Sequence, residues 1–182
     1  MKHLFASSRC LRLLLAMGCL LAACKSNSVD TPAISCPNMK MAVTVGTRSD
    51  SLNFTRGLLI RQRTDSGILK LLSVETISDS FKVILNISDG IYDETSMKDD
   101  SLHLKTYTYS RLGRPQGGLV VVGMRKIPGT PFDFLTTDSS SITLERVNVT
   151  TKTITGTFYF TDKSRAISGS GRFETACFLS LE

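Results

Sequence analysis

Tryptophan is absent from this 182-residue chain, and histidine occurs only twice, as His3 and His103. His3 lies in an amino-terminal stretch that reads as a disposable leader, so a mechanism built on two imidazoles is excluded. Beyond that leader no segment sustains the i, i+3, i+4, i+7 apolar spacing of a helix. Nor is there an apolar run of about 20 residues, the length a permanent membrane helix needs. A block of one charge sign is also missing. The formal net charge is +6, but Lys2, Arg9 and Arg12 contribute half of it and belong to the leader. The remaining surplus is scattered in pairs such as Arg61/Arg63 and Arg125/Lys126, as on a solvated surface, which argues against nucleic acid as a partner. With 41% apolar and 21% charged residues, what remains has the make-up of one ordinary globular domain of about 160 residues.

The leader itself has three parts. Lys2, Arg9 and Arg12 form a positive region, Leu13 to Leu21 an apolar stretch, and Leu21-Ala22-Ala23-Cys24 a small-residue site before the polar Lys25-Ser26-Asn27-Ser28. This arrangement resembles the bacterial lipoprotein signal, with Leu21, Ala22, Ala23 and Cys24 matching its lipobox. The resemblance implies cleavage after residue 23 and acylation of Cys24 by diacylglyceryl and fatty-acyl chains such as palmitate. At about 0.8 kcal/mol per buried methylene, several such chains hold a soluble domain on a membrane. Lys25 rather than Asp follows the cysteine, so the expected address is the cell envelope and the outer membrane. Which face of the membrane carries the domain is open.

Cys10 and Cys19 leave with the leader. That leaves Cys36 and Cys177 in a compartment where disulfides persist. A bridge between them would close a loop of about 140 residues and tie the first strand to the last, stabilising by roughly 4–5 kcal/mol. Two separate buried thiols are the alternative. Even spacing from Phe173 and Thr175 predicts that Cys177 points inward. Two Cys and one His, widely spaced, match no zinc pattern, so no metal or cofactor is expected.

Residues 24–38 comprise the lipidated Cys24 and a Ser-, Asn-, Thr- and Pro-containing tether. From 39 to 182 the apolar residues alternate in short runs. Met39, Met41, Val43 and Val45 share one face, as do Phe81, Val83, Leu85 and Ile87, and again Ile154, Phe158 and Phe160. Alternation with period two marks antiparallel sheet with one side on a core. Leu119-Val120-Val121-Val122 is apolar throughout, as in a strand covered on both faces. Turn signals separate the runs at Asp65-Ser66-Gly67, Ser78-Asp79, Ser88-Asp89-Gly90, Gly113-Arg114-Pro115, Pro128-Gly129 and Asp162-Lys163. The fold expected over 39–182 is a single all-β domain of about 8–10 strands, an antiparallel β-sandwich or a closed barrel.

Gly156-Thr157-Phe158 and Gly171-Arg172-Phe173, with the surrounding strands, resemble the closing strands of uncharacterised β-rich lipoproteins of Bacteroidota. The likeness covers about 40 residues and implies the β fold and the envelope address; the family supplies no agreed activity and no functional residues. Under the same resemblance, Asp50-Ser51-Leu52 and Asp100-Ser101-Leu102 look like acceptors for envelope O-glycosylation.

Catalytic constellations are wanting. His103 falls on the alternating row with Lys105 and Tyr107, opposite Leu102 and Leu104, where a strand residue faces solvent. No Ser occupies a Gly-x-Ser-x-Gly elbow, and Gly169-Ser170-Gly171 lacks the Lys-Ser/Thr of a phosphate loop. The acids Asp89, Asp93, Glu94, Asp99 and Asp100 could offer oxygen ligands to calcium, but their spacing fits no EF-hand and a solvated loop is the simpler reading. The expectation is therefore a non-catalytic, lipid-anchored module binding an envelope protein or glycan. A carrier with a barrel cavity for a small apolar molecule is the alternative.

Overall fold

A computed structural model describes residues 34–181, apart from 94, 96–98 and 115. The expected leader, its cleavage site and Cys24 lie outside the described residues. The strands are β1 (Lys40–Val45), β2 (Arg48–Thr64), β3 (Gly67–Ile77), β4 (Phe81–Tyr92), β5 (Thr106–Ser110), β6 (Gly118–Met124), β7 (Asp133–Phe134), β8 (Ser139–Asn148), β9 (Thr153–Asp162), β10 (Ile167–Cys177) and β11 (Leu179–Leu181). They form one sheet in the order β5-β8-β9-β10-β1-β2-β3-β4-β6-β7, antiparallel throughout, with β11 added parallel to β2.

The 17-residue β2 makes this sheet sandwich-like. Its first residues pair with β1, and from Asn53 onward it pairs with β3, with a bulge between Phe54 and Arg56. A bulge bends its strand and sharpens the local twist, so one strand serves two halves. The first half is β5-β8-β9-β10-β1; the second is β3-β4-β6-β7 with β11. Their inner rows meet in a single core that includes Val43, Leu59, Val74, Val83, Val120, Ile142 and Phe160. The expected rows on β1, β4 and β9 all face this core.

Three phenylalanines set the spacing inside the first half. Phe160 pairs across β9–β10 with Gly169, Phe158 with Gly171, and Phe173 with Gly156. A Cβ placed at Gly169 would stand 2.5 Å from the Phe160 ring, and one at Gly156 2.8 Å from that of Phe173. Each ring therefore lies over a residue with no side chain, and the glycines of the two closing motifs are the seats of each other's aromatics. A ring covering a glycine also shields its backbone and fixes the register of the pair.

The sheet does not close into a barrel. Where β6 approaches β5 and β8, a ladder is replaced by isolated contacts: Gly117 N donates to Thr108 O (2.8 Å) and Ser140 Oγ accepts from Val120 N (3.1 Å) while donating to Gly118 O (2.8 Å). Leu119-Val120-Val121-Val122 is also less covered than its composition suggests. Val120 and Val122 are fully buried, but Leu119 and Val121 are only half-buried on the outer side.

Cys36 and Cys177 form a disulfide with their Cα atoms 5.8 Å apart. The inward orientation expected for Cys177 is not found. The register slips between Phe173 and Ala176, where Thr175 adopts a φ of 49°. One extra residue turns the strand over, so Ala176 takes the core position beyond Phe173 and Cys177 is only half-buried. There it meets Cys36, which reaches it from the segment before β1.

Candidate functional site

Three core positions at matched register carry charges. Arg61 of β2 pairs with Lys70 of β3, and Lys70 with Asp89 of β4. By alternation these positions continue the inner rows of Leu59, Leu72 and Ile87, so the side chains enter the interior together. Lys70 and Asp89 are 0% exposed and Arg61 9%. Arg61 thus leaves the solvated surface that its neighbourhood suggested.

The segment 99–105 closes over this layer. Asp100, 3% exposed, makes ion pairs with Arg61 from β2 and with Lys152 from the β8–β9 turn. Lys70 Nζ donates to Ser101 O (2.8 Å) and sits 3.9 Å above the Tyr92 ring. Asp89 accepts from Tyr92 Oη, from His103 N at 2.9 Å, and lies 3.1 Å from His103 Nδ1 and 3.3 Å from Lys105 Nζ. Tyr107 Oη donates to His103 O (2.8 Å), and the Tyr92 and His103 rings stack 4.9 Å apart.

Burial alone would push the Asp89 carboxyl up, but the hydroxyl of Tyr92 and the amide of His103 outweigh it and hold the group below the ordinary carboxylate range. Burial lowers Lys70 from its usual value, only partly offset by Asp99 and Asp89. Tyr92 and Tyr107 are both pushed upward, first by burial and then by hydrogen bonding toward Asp89. The layer is a dense, donor-rich cradle for two carboxylates, Asp89 and Asp100.

Several expectations change here. Ser88-Asp89-Gly90 is no turn: it lies within β4, where Lys70 faces Asp89 and Leu69 faces Ile91, leaving Gly90 (φ 25°) as an extra, bulged residue. Residues 99–105 lie outside the strands, so alternation does not govern them. His103 is exposed as expected, but Tyr107 is buried and Leu104 exposed, the reverse of the row assignment. Asp89 and Asp100 are not in a solvated loop; each is buried against cations. Among the described residues no group of three or more His, Cys, Asp or Glu could hold a metal ion. Of the two glycosylation-like triplets, Ser51 is exposed on β2, whereas Ser101 is flanked by buried Asp100 and Leu102 and bonds to Asp99.

Chemically, Asp89 orients the His103 imidazole as the acid of a triad would. The ring's hydrogen-bond partners are the Asp89 carboxylate and the Tyr92 phenol, both at Nδ1. Lys70, lowered in basicity by burial, is enclosed and donates to Ser101 O. The arrangement fastens residues 99–105 to the core. Sequence reasoning missed the layer because it read the acids and bases by local spacing. The available signal was three charges, Arg61, Lys70 and Asp89, each placed on an apolar row.

By fold, then, the chain is an all-β, sandwich-like domain closed by a disulfide and pinned at one end by a buried charge layer. No protein-family model, curated protein or solved structure matches it.

Proposed function

We propose that the protein is a lipid-anchored module of the bacterial envelope, held through Cys24 and working by binding an envelope protein or glycan, not by catalysis. The phenylalanine rings seated on Gly156, Gly169 and Gly171 are the observation that most favours this reading over a carrier. A carrier needs its interior as a container, whereas here the interior is occupied by rings packed against backbone. The disulfide suits an oxidising envelope compartment. The buried charge layer adds a second support, because its titratable groups are spent on holding residues 99–105.

The test is fractionation of cells making the native chain or Cys24→Ala. The native chain is expected in the membrane fraction, and the variant is expected to be released or retained unprocessed. Equal amounts of correctly cleaved protein in the membrane fraction for both would end the anchor reading. Tight, saturable uptake of a fluorescent fatty acid into the core would favour the carrier.

A further inference from the structure

The outer face of the second half carries large aliphatic side chains among short polar ones, where an exposed sheet face is ordinarily polar throughout. Leu58, Ile60, Leu71 and Leu119, from β2, β3 and β6, line an open groove of about 330 Å³ together with Ser73, Asn86 and Ser88, and its described lining includes no charged residue. Ile60 is 43% exposed and lies in register with Leu181 of β11, itself exposed.

One wall of the groove is formed by Tyr109 and Gln116, which pair as the two feet of the β5–β6 turn. Gln116 Nε2 donates to Ser110 O (3.1 Å) and Gly113 O (2.7 Å), fixing the turn to the rim. At its tip Leu112 is 93% exposed, between exposed Arg111 and Arg114. An unsupported leucine is costly in water and is suited to an acyl layer. The guanidiniums beside it, Arg114 and Arg111 (the latter 3.8 Å from the Asp138 carboxylate), are suited to the phosphates above that layer.

Position adds a third argument. Cys177, bridged to Cys36, stands two residues before Leu179, which pairs with Leu58 at the edge of the groove. The 12 residues from Cys24 to Cys36 reach at most about 40 Å, so an acylated Cys24 would keep the domain within that distance of the bilayer.

The geometry points to the groove and the Leu112 turn as the surface by which the domain lies on an anionic phospholipid bilayer. This rests on the anchor reading for the direction of approach, while the surface chemistry stands independently of it. The domain would then lie with the groove toward lipid and the hydroxyl-rich face of the first half toward its surroundings.

The experiment uses the full chain, processed and purified from membranes, in vesicles of phosphatidylethanolamine and phosphatidylglycerol with brominated acyl chains. Leu112→Cys and Thr143→Cys each carry one environment-sensitive label. Bromine quenching at position 112 is expected to be at least about threefold that at 143, and to fall to the level of 143 in Arg111→Glu/Arg114→Glu. Equal quenching at the two positions overturns the inference. So does copy-to-copy cross-linking through 112 without quenching, which gives the face to a second chain. The mass of the amino-terminal peptide reports the anchor separately. If Cys24 carries no lipid, the same labels on Cys24→Ser protein added to the vesicles still decide the face: selective quenching at 112 supports it, and none overturns it.

Discussion

Thr106, Thr143, Thr157 and Arg172 stand side by side across the outside of the first half, and Thr108, Ser141, Tyr159 and Ser170 form the next row. Across the second half the corresponding outer rows are mixed: Leu58, Ser73, Asn86 and Leu119 in one, Ile60, Leu71 and Ser88 in the next, and Arg56, Glu75, Ile84 and Val121 on the other side. The inner faces diverge too. The first half fills its interior with aromatic rings resting on glycine backbone; the second uses aliphatic side chains and then a layer of charge. Two solutions to one packing problem therefore meet along β2. The first half gets its register from shape and can afford a polar exterior. The second gets its end closure from ion pairs and keeps large aliphatic side chains among the polar ones outside.

Removing what joins the halves should have the largest effect. Reduction, or Cys36→Ser with Cys177→Ser, opens a closure of 141 residues and is expected to cost roughly 4–5 kcal/mol in denaturant titrations. A loss below about 1 kcal/mol would mean that hydrogen bonding and packing around β10 and β11 already fix the join.

Within the first half, Gly171→Val drives a branched side chain into the Phe158 ring and the backbone oxygen of Ala42. A cost of about 2–4 kcal/mol is expected. Phe158→Ala should be partly compensated by that same substitution if ring and glycine act as a pair. Strict additivity in a double-mutant cycle would contradict the seating.

The second half should respond to charge and pH instead. Asp89→Asn leaves Lys70 and Lys105 facing a neutral group and is expected to destabilise by about 2–4 kcal/mol at neutral pH. Because the folded state holds Asp89 below its unfolded value, its contribution is fully present above about pH 5 and is lost as pH falls through the folded value. The variant should thus show a shallower acid limb; a parallel one would remove Asp89 from the account. Lys70→Met removes a cation that burial disfavours but also the donor to Ser101 O, and is expected to cost less than Asp89→Asn, about 1–2 kcal/mol.

The smallest effect belongs to the hydroxyl face. Thr106 and Thr143 share a 2.8 Å hydrogen bond across β5–β8, yet Thr143→Val is expected to change stability by less than about 1 kcal/mol. A larger change would make that face part of the folding account and blur the contrast with the second half.

How far the sequence could be read follows the same division. Alternation on β1, β4 and β9 put Val43, Val83 and Phe160 on the core, because a period of two has one structural meaning when the other row is polar. The reading failed wherever a single residue was inserted. Thr175 reverses Cys177, and Gly90 hides inside β4 the residues that looked like a turn. Local spacing does not show a bulge without its partner strand. The charge layer failed for a related reason: Arg61, Lys70, Asp89 and Asp100 are far apart in the chain and acquire meaning only when three strands and a covering segment align. The outcome at Leu102 to Tyr107 has a simpler cause, since residues outside a ladder need not alternate.

The account depends most on what Cys24 carries. Intact-mass analysis of the protein extracted from membranes, without reductant, tests that directly. The predicted species begins at Cys24, bears a diacylglyceryl thioether and fatty-acyl mass on that residue, and keeps Cys36 joined to Cys177. A chain that retains residues 1–23, or begins elsewhere with an unmodified Cys24, would contradict it.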